Sequence, residues 1–261
     1  MKHRISLFGC GWLGEPLAIQ LIRNGYQVKG STTTAGKLQR LESLGIVPFL
    51  LNLESISTDI SRFLESDILI VAVASKNVDG FRNLLAQIEK SPIQKILFIS
   101  STSVYENSDD IITEQATLKS SGLCEIEELF RSNASFLTTV LRLAGLFGYN
   151  RNPANFFPPG KPIGNPNGSV NMIHQDDCIR IISQLIENEI WGETFNACAD
   201  THPTRREFYT KAALDIGRDA PVFIENGSLE QKIISNQKLK TVLGFQFSYP
   251  DLLNIKEKLL E

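Results

Sequence analysis

A chain of 261 residues that is 42% hydrophobic and 21% charged can bury the core of one large or two modest domains. Its formal net charge of −3 gives it no electrostatic bias toward nucleic acid or a membrane surface, so neither is expected as a partner. The four cysteines, Cys10, Cys124, Cys178 and Cys198, form no C-x-x-C pair and have no His or Cys at metal-site spacing beside them, so reduced, buried thiols are expected and a metal site is not.

Only Met1 to His3 precede the first apolar run, and no run approaches the roughly 20 residues of a membrane span, so neither a signal peptide nor a membrane segment is expected and a cytoplasmic location follows by default. Short β-branched or aliphatic runs then recur as ISLF, YQVKG, IVPFL, DILIVAVA, KILFIS and FLTTVLRLAG. Segments of helical periodicity lie between them, the first placing Leu13, Leu17, Ala18, Leu21 and Ile22 on one stripe. This alternation, which holds to about residue 147, predicts an α/β fold with a doubly wound parallel sheet of the Rossmann type.

The first strand runs directly into Gly9, Gly11 and Gly14, spaced G-x-G-x-x-G, with Trp12 and Leu13 inside the turn. In that context the first Gly permits a tight turn, the second lets a diphosphate approach the backbone, and the third lets the helix pack on the strand. Free N–H groups and the positive helix end would face the phosphates. The alternative is a glycine-rich turn that binds nothing. An NAD site normally adds an acidic side chain about 20 residues further on. Here the stretch after Val28 reads KGSTTTAGK and offers Ser31, Thr32, Thr33, Thr34 and Lys37. Hydroxyls with a nearby cation suit a 2′-phosphate better than a bare ribose, which favours NADP over NAD, although Thr and Lys at a helix start are also good caps and solvated surface.

Residues 148–170 are rich in Gly, Pro and Asn and read as a long loop or boundary. The expected division is a dinucleotide-binding domain over 1–148 and a smaller α+β, substrate-covering region over 149–261, interleaved with the first. The second region supplies a short strand and helix in VNMIHQDDCIRIISQLIE, a strand in GETFNA, and a helix starting at Thr204 with Glu207 at capping-box spacing and stopping at Gly217. A last helix follows Ser235 and ends near Gly244. Asp176 and Asp177 read as caps for the helix IRIISQLIE.

With the glycine turn, ISSTSVYE at 99–106, LRLAGLFG at 141–148, MIHQDD at 172–177, FNACADTHPTRREF at 195–208 and SNQKLKTVLGF at 235–245, the chain resembles the extended short-chain dehydrogenase/reductases. More narrowly, it resembles the NAD-dependent epimerase/dehydratase group and its atypical members. The resemblance implies a dinucleotide across the carboxyl ends of the strands, with its adenosine end near Thr32 to Lys37 and with Val73, Ala74 and Ser75 near the ribose and diphosphate. It aligns Ser101 with a hydroxyl that contacts the reacting oxygen of the substrate, a position where a donor can stabilise a developing alkoxide. Hydroxyls at a strand end also satisfy backbone groups. The family habit further implies a homodimer through the helices flanking the fifth strand.

The family's chemistry rests on Tyr-x-x-x-Lys in the following helix, and LKSSGLCEIEELF at 118–130 contains no Tyr. With Glu127 or Glu128 as a guide, the Tyr position falls on Lys119 or Ser120 and the Lys position on Leu123 or Cys124. Proton transfer needs a titrating group within hydrogen-bond reach of the substrate, so the candidates are Tyr105, Lys119 and His174, against core packing for Tyr105 and a structural hydrogen bond for His174. Arg142, at a strand end facing the expected substrate cleft, suits a carboxylate or phosphate on the ligand, or a salt bridge to the second domain. Phe156 and Phe157 in the Pro-rich loop form an apolar lid or anchor the loop, and Phe157 is taken as a substrate contact.

Two readings follow. One is an NAD(P)-dependent oxidoreductase or epimerase/dehydratase-like enzyme acting on a small polar or anionic substrate, sugar nucleotides included. The other is a dinucleotide-binding sensor or scaffold without turnover. A domain for a different nucleotide, such as FAD or a nucleoside, is a distant third.

Overall fold

The computed structural model describes residues 3–56, 59–158, 160–225 and 231–255. In chain order the elements are β1 (Arg4–Phe8), α1 (Gly14–Arg23), β2 (Gln27–Thr32), α2 (Leu38–Ser43), β3 (Val47–Leu50), α3 (Ser61–Leu64), β4 (Ile68–Val71), α4 (Val78–Ile88) and β5 (Lys95–Ser101). There follow β6 (Ile111–Ile112), α5 (Gly122–Arg131), β7 (Leu137–Leu143), β8 (Gly145–Phe147), β9 (Met172–His174), α6 (Gln175–Glu187), β10 (Thr194–Ala197), α7 (Arg205–Asp215), β11 (Ile233–Ile234) and α8 (Gln237–Leu243).

Among the described residues a seven-stranded sheet has the order β10-β7-β5-β4-β1-β2-β3, and two-stranded sheets pair β11 with β6 and β8 with β9. The order reverses at β1, whose neighbours are β2 and β4, which makes this the switch point where open α/β sheets bind ligands. Parallel register puts Phe8 beside Val71 and Val71 beside Phe98. The chain therefore leaves β1, β4 and β5 at one carboxyl edge. The six apolar runs of the sequence all become strands of this sheet. DILIVAVA contributes only Ile68–Val71, and Ala72 and Val73 lie against the turn at Gly9.

The chain divides into two compact units. The first comprises Met1–Ser100, Leu118–Arg142 and Ile179–Phe195, and the second Ser101–Thr117, Leu143–Cys178 and Asn196–Glu261. The chain passes from one unit to the other at the end of β5, before α5, at the end of β7, within α6 and within β10. In the first unit Phe81, Phe98 and Phe130 pack with ring centroids 4.8 to 6.0 Å apart, beside Phe8, Phe63, Leu69 and Val71. In the second, Phe147, Val170, Met172, Ala199, Phe208 and Leu252 form a smaller cluster.

Local chemistry sets the helix limits. Thr204 and Glu207 form the expected capping box for α7, and Gly244 closes α8 at φ +60°, the left-handed backbone that favours glycine. α5 begins at Gly122, four residues later than the expected 118, because Ser121 Oγ accepts from Cys124 N and fixes the N-cap there. Asp176 and Asp177 are not caps of α6. They lie inside its first turn, where Asp177 accepts from the backbone N–H groups of Ser248 and Tyr249.

Candidate functional site

The first unit builds its site on the turn after β1. Gly9 has φ +112°, and a Cβ on it would meet Ala72 O at 2.7 Å and Val73 Cγ1 at 2.8 Å. A Cβ on Gly14 would strike the carbonyl of Gly9. These two glycines are thus required by the protein's own packing. Gly11 differs: it is exposed, and a Cβ there would meet nothing within 4 Å. A space held open at the second glycine is what the approach of a diphosphate requires, so the residues present fit a dinucleotide. Trp12 is half-buried and Leu13 is buried at the start of α1.

The end of β2 is stapled to this turn. Gly9 N donates to Ser31 Oγ at 2.9 Å and Cys10 N to Ser31 O at 2.7 Å. Ser31, one of the hydroxyls offered by the sequence, is therefore spent on holding the turn. Thr32 is also buried, and its Oγ1 accepts from Thr34 N at 3.2 Å. Thr33, Thr34 and Lys37 are exposed. Burial, with Glu15 adding to it, pushes the Cys10 thiol up to about 12, so the cysteine of the turn is no nucleophile. At the end of β4, Val73 is half-buried and Ala74 exposed, while Ser75 Oγ donates to Glu54 Oε1 at 3.0 Å.

Arg142 departs from its expected role. Its side chain is 1% exposed, and its Nη2 lies 2.6 Å from Oε2 of Glu127, which is also 1% exposed. Nε adds contacts of 3.1 and 3.2 Å to the same carboxylate, and Ser100 Oγ donates to it as well. The cause is energetic: a buried guanidinium needs a charge partner, and Glu127 supplies it from α5. The salt bridge is thus internal to the first unit, and Arg142 is not placed to contact a substrate.

In the second unit Ser101 caps a single 3-10 turn at 102–104, its Oγ accepting from Ser103 N at 3.1 Å. Tyr105 is fully buried, and its hydroxyl donates to Asn196 Oδ1 at 2.8 Å. Asn196 N in turn donates to Glu114 Oε1 at 2.8 Å. His174 is likewise fully buried. Its Nδ1 accepts from Asp176 N at 3.2 Å, and its ring lies 3.8 Å from that of Tyr249. Two of the three candidates for the missing acid, Tyr105 and His174, are thus enclosed by protein and hydrogen-bonded within the unit, while Lys119 is half-buried. Lys119 and Ser120 precede α5 rather than lying in it. Phe157 is half-buried, edge-on to Tyr209 at 5.4 Å, and Phe156 is 38% exposed with Arg151 over its ring.

Glu127 and Asn196 are the organising residues that pattern reading left without a role. Glu127 served only to mark spacing, because a lone Glu within a helical stripe does not announce an ion-pair partner 15 residues later. Among the described residues no group of three or more His, Cys, Asp or Glu could hold a metal ion, and no helix is long and apolar enough to cross a membrane.

Residues 4–124 match the family model for the NAD binding domain of 6-phosphogluconate dehydrogenase. Protein YeeZ of Escherichia coli strain K12 is 32% identical over 96% of this chain and 97% of its own length. Among solved structures, a provisionally assigned NAD-dependent epimerase/dehydratase from Methylobacillus flagellatus superposes with a TM-score of 0.76 at 25% identity, covering 95% of this chain and 94% of its own. A conserved protein of unknown function from Silicibacter pomeroyi DSS gives 0.82 at 20% identity over 97% and 96%. UDP-glucuronic acid 4-epimerase from Bacillus cereus, in complex with UDP-glucuronic acid and NAD, gives 0.77 at 19% identity over 94% of each chain. The last two show likeness of fold.

Proposed function

The chain belongs to the family of protein YeeZ, and from that membership and the form of the glycine turn we propose that it binds a nicotinamide dinucleotide, NADP in preference to NAD, as an atypical relative of the extended short-chain dehydrogenase/reductases. The observation that carries this reading is the open position over Gly11 between two glycines that the turn itself requires. Gly9, Gly11, Trp12, Leu13 and Gly14 would hold the diphosphate, Thr32, Thr33 and Lys37 the adenosine end, and Val73 and Ala74 the ribose region. A nicotinamide dinucleotide supplies hydride transfer when bound.

The substrate is a small polar or anionic molecule, with sugar nucleotides such as the one bound by the Bacillus cereus epimerase within that class. The reaction is of the oxidoreductase or epimerase/dehydratase kind without a Tyr/Lys pair. Ser101 is the hydroxyl for it: Oγ accepts from Ser103 N, which leaves its proton to be donated to a reacting oxygen. Phe157 would contribute an apolar contact from its loop.

A second reading, a dinucleotide-binding sensor or scaffold without turnover, is favoured by one specific observation. Tyr105 and His174, two of the three side chains that could replace the missing acid, are 0% exposed.

Titration of the purified protein with NADPH and NADH, followed by cofactor fluorescence, tests the binding reading. Binding of at least one below millimolar concentration is expected, and failure of both overturns it. Activity against a carbonyl panel then separates the readings. A rate that falls in Ser101→Ala supports the enzyme, whereas no turnover with any member supports the sensor.

A further inference from the structure

The adenosine end of the proposed site has a second cation, one that the spacing after β2 does not single out. Arg40 lies on α2, three residues beyond Lys37. Its Nε and Nη2 both donate to Oε1 of Glu15, at 2.9 and 2.6 Å, and Glu15 stands in the first turn of α1 directly after Gly14. The guanidinium is thereby held beside the glycine turn. The Arg40 side chain is nonetheless 67% exposed, against 16% for Glu15. The Cys10 thiol feels the negative charge of Glu15 and the positive charge of Lys37, which agrees with both charges lying close to the turn. Among the described residues Arg40 Nη1 makes no hydrogen bond and Lys37 no ion pair.

We infer that Arg40, preset by Glu15, reads a phosphate on the adenosine ribose and is the residue that decides between NADP and NAD. The inference rests on the dinucleotide reading above. An unpaired carboxylate beside the turn would repel a 2′-phosphate and accept from a bare ribose diol. Arg40 neutralises it, and with Lys37 the three side chains carry one net positive charge. A guanidinium can hold a carboxylate on one edge and a phosphate on another, which an ammonium cannot do with the same geometry. Because Glu15 already fixes the Arg40 rotamer, little side-chain entropy remains to be lost when the phosphate arrives.

The test is equilibrium titration of the full chain and of Arg40→Ala and Arg40→Lys with NADPH and NADH, read by cofactor fluorescence. Circular dichroism serves as the folding control, and an exposed residue should leave the spectrum unchanged. Wild type is expected to bind NADPH about tenfold or more tighter than NADH, since a charge-assisted phosphate contact is worth roughly that factor or more. Arg40→Ala should weaken NADPH about 10- to 30-fold while leaving NADH within about twofold, and Arg40→Lys should recover only part of the loss. Equal weakening of both cofactors, no weakening of NADPH, or wild-type preference for NADH overturns the inference and leaves the dinucleotide reading standing. Failure of wild type to bind either cofactor instead removes the dinucleotide reading, and this inference with it.

Discussion

The three glycines of the first turn do different work. Gly9 combines φ +112° with close approach to Ala72 and Val73, and Gly14 leaves no room for a Cβ below the Gly9 carbonyl. Gly11 faces open space. Gly14→Ala is therefore expected to cost about 1–3 kcal/mol or more in urea unfolding, since the obstacle is backbone that cannot rotate away. Gly11→Ala should change stability by less than about 0.5 kcal/mol, as a surface substitution does, yet lower NADPH affinity by about tenfold, because the methyl would occupy the approach of the diphosphate. A Gly11→Ala variant that binds as tightly as wild type would show that the space over Gly11 is not used. The pattern G-x-G-x-x-G was legible from residues 9 to 14 alone. The division of duties among its glycines was legible there too, whereas the packing of Gly9 against Ala72 and Val73 was not, because those residues lie some 60 positions away in the chain.

Among the elements, β5, α5 and β7 are tied together through one carboxylate. Glu127 on α5 accepts from Ser100 at the end of β5 and pairs with Arg142 on β7. Both members of the pair are 1% exposed, so removing one leaves an uncompensated buried charge. Glu127→Leu is expected to destabilise the protein by about 3–5 kcal/mol in urea unfolding, and Glu127→Leu with Arg142→Met by clearly less. A double variant as unstable as the single one would mean that the pair is not what holds these elements. The strands were readable as elements because parallel strands covered on both faces show as continuous apolar runs. The start of α5 was not, because Leu118 to Ser120 continue the helical pattern, while the break comes from a hydrogen bond between Ser121 and Cys124 N.

Across the whole molecule, ligand binding and stability are linked. A dinucleotide that binds only the folded chain should stabilise it by about 2.7 kcal/mol when present at a hundredfold excess over its Kd. For a protein of this size that corresponds to a rise in Tm of about 5–10 °C. Differential scanning fluorimetry with NADPH and NADH checks this, and a Tm that stays constant at saturating cofactor would count against a site built into the folded sheet. The alternation of strand and helix, the glycine turn and the absence of Tyr-x-x-x-Lys are properties of consecutive residues, and the chain alone determined them. The burial of Tyr105, His174 and Arg142, the division into units that exchange the chain at β5, before α5, at β7, within α6 and within β10, and the pairing of Arg40 with Glu15 were decided by the tertiary structure. Solvent exposure and ion pairing join residues far apart in sequence, and no local pattern records which charge will find its partner when the sheet and its helices close around it.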